Sequence, residues 1–344
     1  MKYFSLTFLL LGVVLLVPRA THAQTFQNLG GQQSNINVRT TPPVPGPNQF
    51  VTVTIESFAT DLDRALISWF LNNKLEKEAV GEKSFLFKTG SLGSVSNILI
   101  VIKTTGGETL QQVLNVWPAA LDLLWEAQSY TPPFYRGKAL YPYQGTVKLV
   151  AMPNIVTETG ALLNAKNLVY TWKVDGDTVA KLSGYGKNFI FFNGSIPLGS
   201  ATIEVEAASL DKKYKATGSV ALSPQGSEAL FYEDSPLYGV LYNKALGGNV
   251  VLQNEEIKLT GIPYFIGVRE RENAGLTYEW RLNDQVVSGS SAKSGLAFKQ
   301  GGSAGGTALV ALQISNPAKI FQFANDSLSL KFGKTAAANL FETP

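Results

Sequence analysis

Three stretches decide the fold: Leu66-Ile67-Ser68-Trp69-Phe70-Leu71, Val169-Tyr170-Thr171-Trp172-Lys173-Val174 and Thr277-Tyr278-Glu279-Trp280-Arg281-Leu282. Their tryptophans stand 103 and 108 residues apart. In each copy the residues two before and two after Trp are apolar: Ile67 and Leu71, Tyr170 and Val174, Tyr278 and Leu282. A period of two marks a strand with one buried face. Directly after come Asn72-Asn73, Asp175-Gly176 and Asn283-Asp284. Asn, Asp and Gly tolerate the positive φ that a two-residue hairpin turn demands. Each tryptophan is therefore expected on a strand that turns back tightly.

The register continues on both sides. Alternating runs precede each Trp strand: Val51 to Ile55, Val147 to Ala151 and Ile257 to Thr260. Aromatic positions follow it, at Phe85/Phe87, Phe189/Phe191 and Phe298. A further strand carries Leu99/Val101, Ile203/Val205 and Val310/Leu312, and a last one spans Val113 to Val116, Ser219 to Leu222 and Leu328 to Phe332. About seven short strands per hundred residues, with Trp on a central strand, predict an immunoglobulin-like sandwich.

A Tyr-Thr-Trp or Tyr-Glu-Trp strand, a two-residue Asn/Asp/Gly turn and a closing Thr/Val-rich strand resemble the PKD and bacterial Ig-like repeats of exported surface proteins. The resemblance covers nearly the whole chain, three times over. It implies an all-β protein of three tandem Ig-like or PKD-like sandwiches behind an N-terminal signal peptide. PKD repeats usually carry Gly-Asp-Gly after the Trp strand, and here Asp175-Gly176-Asp177 comes nearest. Antibody-type domains carry a cysteine pair, and this chain has no cysteine. The cores must then rest on Trp, Phe and aliphatic packing, with Trp69, Trp172 and Trp280 as their expected centres.

Composition narrows the chemistry. The 344 residues are 45% hydrophobic and 16% charged, which suits a globular chain. Lys and Arg number 29 against 26 Asp and Glu, a net +3 with no basic run, so no nucleic-acid partner is expected. With no Cys and one His, thiolate nucleophiles, zinc–thiolate sites and His-dependent triads are excluded.

That histidine, His22, lies in a segment that reads as a signal. Lys2 precedes an apolar run from Phe4 to Val17, and Thr21-His22-Ala23 offers small side chains where a signal peptidase reads. Cleavage is expected between Ala23 and Gln24. The alternative is an uncleaved anchor, for which the run is short against the roughly 20 residues of a span. The expected localisation is secreted or cell-surface, with membrane contact only through an uncleaved signal.

The expected divisions are a signal peptide over 1–23, a polar linker over 24–34, Ig-like domains over 35–118, 119–224 and 225–334, and a tail over 335–344. Each repeat opens with a proline-marked stretch: Thr41-Pro42-Pro43, Thr131-Pro132-Pro133 and Ser235-Pro236. Proline donates no hydrogen bond to a ladder, so these are expected on edge strands. Short linkers predict an elongated, semi-rigid rod.

No catalytic, cofactor or metal residues are predicted. Asp175-Gly176-Asp177 and Asp61-Leu62-Asp63 lack the further carboxylates of a calcium loop. Glu204 and Glu206 alternate with Ile203 and Val205 and read as a solvated strand face. Gly301 to Gly306 is followed by neither Lys-Ser/Thr nor a helix, so it is no phosphate cradle. Aromatic bands stand at both repeat boundaries. Tyr130, Phe134 and Tyr135, with Trp117 and Trp125, mark the first, and Tyr232, Tyr238 and Tyr242 mark the second. They read either as interdomain packing or as a patch that stacks sugars or docks proteins. The expected function is a non-catalytic exported component, surface-structural, adhesive or assembling, which meets a protein or glycan at the cell surface. A carbohydrate-binding array using the boundary aromatics is the alternative. A carboxylate-dependent hydrolase ranks third, since no cleft-forming segment is left over.

Overall fold

The computed structural model describes residues 36–332 except 197, 253–254, 273–274, 291–293 and 302–304. The expected signal peptide, polar linker and tail lie outside the described residues, as does the middle of the Gly301–Gly306 run.

The chain is all-β. It forms three sandwiches in tandem, each closed by a three- or four-stranded sheet against a larger one. The first contains β1 (Ile36–Thr41), β2 (Phe50–Ser57), β3 (Leu66–Leu71), β4 (Lys74–Val80), β5 (Ser84–Lys88), β6 (Ser96–Lys103) and β7 (Thr109–Val116). Its sheets have the orders β1-β2-β5 and β4-β3-β6-β7. The second contains β8 (Ala120–Ala127), β9 (Thr146–Asn154), β10 (Val169–Val174), β11 (Asp177–Thr178), β12 (Gly184–Tyr185), β13 (Phe189–Asn193), β14 (Ala201–Ala208) and β15 (Lys215–Leu222). Here the orders are β8-β9-β13 and β11-β10-β14-β15, with β12 also on β10. The third contains β16 (Glu228–Ser235), β17 (Gly239–Val240), β18 (Gly248–Val251), β19 (Glu256–Tyr264), β20 (Thr277–Leu282), β21 (Gln285–Val286), β22 (Gly295–Lys299), β23 (Gly306–Ser315) and β24 (Phe323–Phe332). It pairs β17-β16-β19-β22 with β18-β24-β23-β20-β21. Three repetitions of one Ig-like strand order make this a tandem Ig-like array.

Alternation explains the cores. Trp69, Trp172 and Trp280 are wholly buried between the two sheets of their own sandwiches. Each meets a ring or aliphatics from the opposite sheet: Phe85 is stacked on Trp69 at 5.5 Å, and Phe231 and Phe298 flank Trp280 at 5.7 and 6.0 Å. The indole N–H groups of Trp69 and Trp172 donate to the carbonyls of Glu82 and Lys187, both at 2.9 Å. Burying an indole therefore leaves no orphan donor at either site. In the third sandwich β19 runs close beneath the facing sheet, and a Cβ at Gly261 would collide with Leu312.

The turns after the Trp strands use their residue types twice over. Both central residues of each turn have positive φ: 49° and 68° at Asn72-Asn73, 52° and 89° at Asp175-Gly176, 47° and 65° at Asn283-Asp284. The first residue also ties the hairpin to the next strand of its sheet. Asn72 Oδ1, Asp175 Oδ1 and Asn283 Oδ1 accept the backbone N–H groups of Asn97, Thr202 and Leu309, at 3.0, 2.7 and 2.8 Å. Their own N–H groups donate back to the carbonyls of Asn97, Thr202 and Leu309, each at 2.8 Å. Asn or Asp is thus favoured over Gly at the first position because the side-chain oxygen is used.

One expectation is corrected here. The prolines do not lie on edge strands. Pro42 follows β1, Pro132 and Pro133 lie beyond β8, and Pro236 follows β16. In each sandwich the first strand comes before its prolines; Pro42 and Pro236 directly follow β1 and β16, where a missing N–H can end the ladder, whereas Pro132 and Pro133 stand farther on in the connection after β8.

Candidate functional site at the second joint

Strands of one sandwich give way to those of the next between Val116 and Ala120 and between Leu222 and Glu228. The two joints are built differently. At the first, Ala119 N–H donates to the Pro45 carbonyl at 3.1 Å, the one backbone hydrogen bond across it among the described residues. At the second, the long β8–β9 connection reaches over and pairs with the end of β19. Tyr130 N–H donates to the Ile266 carbonyl at 2.9 Å, Phe265 N–H to the Tyr130 carbonyl at 2.7 Å, and Val268 N–H to the Gln128 carbonyl at 3.2 Å. Residues 128–130 thus act as a short extra strand on the third sandwich.

Further along the same connection, Tyr143 N–H donates to Gln225 O at 3.1 Å and Gln225 N–H to Tyr141 O at 2.7 Å. Gln322, fully buried, sends its side-chain amide to the Tyr143 carbonyl at 3.0 Å and accepts from Asn316 at 3.1 Å. Phe321 N–H donates to Gln144 Oε1 at 3.1 Å. Each such bond contributes about 0.5–1.5 kcal/mol net. Several in one place hold the two sandwiches in a fixed relation.

Aromatic rings fill the space these bonds enclose. Tyr130 lies on Tyr264, with centroids 5.4 Å apart and planes 7° apart. Tyr264 meets the edge of Tyr232 at 6.4 Å, and Tyr232 meets Tyr242 at 5.3 Å. Tyr135 is edge-on to Phe265 at 5.4 Å. The Arg271 guanidinium, on the short helix α1 (Val268–Glu272), sits 3.6 Å from the Tyr130 ring centre, a cation–π contact. The Tyr264 hydroxyl donates to the Tyr232 hydroxyl at 3.2 Å. Burial raises the Tyr264 phenol above its ordinary value, because its anion would lose water, and Tyr232 adds to the rise. Burial likewise raises Tyr242.

The six predicted patch residues therefore divide. Tyr130, Tyr135, Tyr232 and Tyr242 converge on this one joint. Phe134 and Tyr238 are 90% and 80% exposed and join no ring pair among the described residues. The expectation of two equivalent bands at two boundaries is corrected: Tyr130 and Tyr135 belong to the second joint, at the far end of β8 from the first sandwich. Trp117 and Trp125 do not join them. Trp117 packs edge-on against Tyr214 at 5.6 Å under Lys213, and Trp125 lies beneath Lys138, whose Nζ is 3.4 Å from the ring centre. Sequence reasoning missed Tyr264, Phe265, Ile266 and Arg271. The signal for the first three was the unbroken apolar run Ile262-Pro263-Tyr264-Phe265-Ile266, which loses alternation because both faces become covered; Arg271, among the charged residues of 268–272, carried none.

The carboxylates serve local structure. Asp63 pairs with Lys83 at 2.8 Å, Asp61 Oδ1 accepts the Asp63 N–H at 3.1 Å, and Glu206 meets Lys215 at 3.4 Å. Among the described residues no three His, Cys, Asp or Glu side chains gather as metal ligands.

No family model and no curated protein matches the chain. Solved structures similar to it include the central fibronectin-III array of RIM-binding protein, at 12% identity over 84% of this chain and 93% of that one, with a TM-score of 0.29. The fibronectin(III)-like modules of Clostridium thermocellum CbhA match at 13% identity over 55% and 94%, with a TM-score of 0.27. A Bacteroides ovatus protein of a mixed-linkage glucan utilization locus, SGBP-B, solved with a heptasaccharide, matches at 11% identity over 88% and 72%, with a TM-score of 0.22.

Proposed function

We propose that this chain is a non-catalytic, exported tandem Ig-like protein of the PKD or bacterial Ig-like kind. Its work is to hold surfaces at set positions outside the cell, as a structural, adhesive or assembling component. The observation that carries this reading is the second joint. Tyr130 and Tyr135 set against rings of the third sandwich, a buried glutamine and a strand-like pairing fix one sandwich against the next. A protein that only needed linked binding modules would not require that rigidity. The Phe4–Val17 run ahead of Thr21-His22-Ala23 supports export.

One observation favours the carbohydrate-binding alternative: the Phe134 and Tyr238 rings are exposed and join no ring pair among the described residues. Paired variants separate the readings. Tyr130→Ala and Tyr135→Ala are expected to lower the melting midpoint and widen the angle distribution in small-angle scattering, with binding to whole cells and to a glycan array unchanged. Loss of glycan binding in Phe134→Ala or Tyr238→Ala, with melting and shape intact, would place the carbohydrate reading first.

A further inference from the structure

The three sandwiches leave the same edge bare. In their smaller sheets β5, β13 and β22 each have a partner on one side only among the described residues. The hydrogen-bonding parity of each is fixed by the bonds at its ends. For β13, Ala151 N–H donates to Asn188 O at 2.7 Å and Gly194 N–H to Gly145 O at 2.9 Å. The even-numbered residues therefore face β9, and Phe189, Phe191 and Asn193 direct their N–H and C=O groups away from the sheet. Among the described residues no hydrogen bond outside the sheet reaches the main chain of these three. The same reasoning gives outward Ser84, Leu86 and Lys88 on β5, and outward Gly295, Ala297 and Lys299 on β22.

The contrast lies in what guards each edge. A lysine on a bare edge blocks pairing with another chain, since adding a strand would bury its charge. Lys88 and Lys299 fill that role on β5 and β22. On β13 the corresponding place is Asn193, and the other two outward residues are phenylalanines exposed by 51% and 49%. This edge has no charge and no proline, and its register with β9 runs without a bulge.

We propose that β13 is a homotypic docking edge, and that its partner is β13 of a second copy of this chain, antiparallel about a two-fold axis through Phe191. That register uses the whole strand. Phe191 faces its own counterpart, and Phe189 faces the counterpart of Asn193. All three outward N–H and C=O pairs then find partners. Large meets small in this arrangement: Thr146 Oγ1 donates to Asn193 Oδ1 at 2.7 Å, which holds the amide toward β9 and clears the space that Phe189 of the other copy would fill. Charge does not oppose a second copy. The Lys148 ammonium lies 5.9 Å from the Phe189 ring centre, and Glu126 stands opposite Lys148 in the sheet, so the charges beside the edge balance. The result is one continuous six-stranded sheet. A single strand pair is a small interface, so the association is weak and depends on concentration. This contact does not depend on the role proposed above.

The test exploits the absence of cysteine from the full chain. Directly opposed residues in a hydrogen-bonded antiparallel pair have Cα atoms about 5.5 Å apart, within disulfide range. Phe191→Cys is expected to give a disulfide-linked dimer under mild oxidation. Phe189→Cys alone is not, because it faces Asn193, and the double variant Phe189→Cys/Asn193→Cys is. Leu86→Cys on β5 serves as the control edge. Sedimentation of the unmodified chain should show dimer growing with concentration, and Phe191→Lys should remain monomeric with unchanged circular dichroism. Three results overturn the proposal: a monomer at all concentrations up to solubility, Phe191→Cys linking no faster than Leu86→Cys, or dimer persisting in Phe191→Lys.

Discussion

Tyr130 and Tyr264 come from different sandwiches and lie ring on ring, 5.4 Å between centroids. Contact of this kind adds about 0.5–1.5 kcal/mol beyond the area buried. It also couples two domains that have separate cores. Tyr130→Ala should therefore do more than lower stability. The second and third sandwiches are expected to melt in one transition in the parent and in two in the variant. Calorimetry of the full chain reads this directly, and an unchanged single transition would show that the backbone pairing suffices.

The tryptophans act within their own sandwiches. Trp69→Ala, Trp172→Ala and Trp280→Ala should each cost roughly 3–5 kcal/mol, the range for large core truncations. Trp69→Ala should leave the joint between the other two sandwiches intact. Urea melts followed by tryptophan fluorescence would test this, and a loss near 1 kcal/mol, that of an ordinary substitution, would contradict the burial described.

Alkali should loosen the array in a defined window. Burial pushes Tyr170 up to about 12, and its hydroxyl donates to Ala165 O at 2.7 Å. The folded value lies above the unfolded one of about 10, so the unfolded chain loses its proton first. The stability contributed is complete below the unfolded value and is lost as pH rises through the folded one. Tyr264, also raised by burial, acts in the same direction. Urea midpoints should hold to about pH 10 and fall beyond it. Tyr170→Phe should flatten that fall while lowering the neutral-pH stability by about 1 kcal/mol, the worth of one hydrogen bond.

The proposed export predicts a mature chain that begins at Gln24. Intact-mass measurement of protein recovered outside the cell is the check. Recovery only of the uncleaved chain from membranes would overturn it.

The sandwich cores were legible because a strand writes its buried face into every second residue, and Trp69, Trp172 and Trp280 are large enough to mark the centre. The joint was less so. Tyr130 and Tyr264 belong to different repeats, and no local period links them. Recurrence also misled: aromatics near both boundaries suggested two like joints, whereas the structure brings Tyr130, Tyr135, Tyr232 and Tyr242 to one and leaves the others apart. A physical clue was present in connection length. The chain between β8 and β9 runs from 128 to 145, against 42 to 49 between β1 and β2, which leaves residues free to reach the neighbouring domain.

The parallel pairing of β18 with β24 has a mechanical consequence. Gly248 to Val251 lie beside Leu328 to Lys331, near the two ends of the third sandwich's strand sequence. Tension applied through those ends would slide the two strands past each other, so that the pairs share the load and must fail together. In the first two sandwiches the opening and closing strands, β1 and β7, and β8 and β15, lie in different sheets, and among the described residues no parallel strand pair is interposed. A chain stretched between two anchors would thus yield first in the two sandwiches without such a pair, leaving the third as its load-resistant portion.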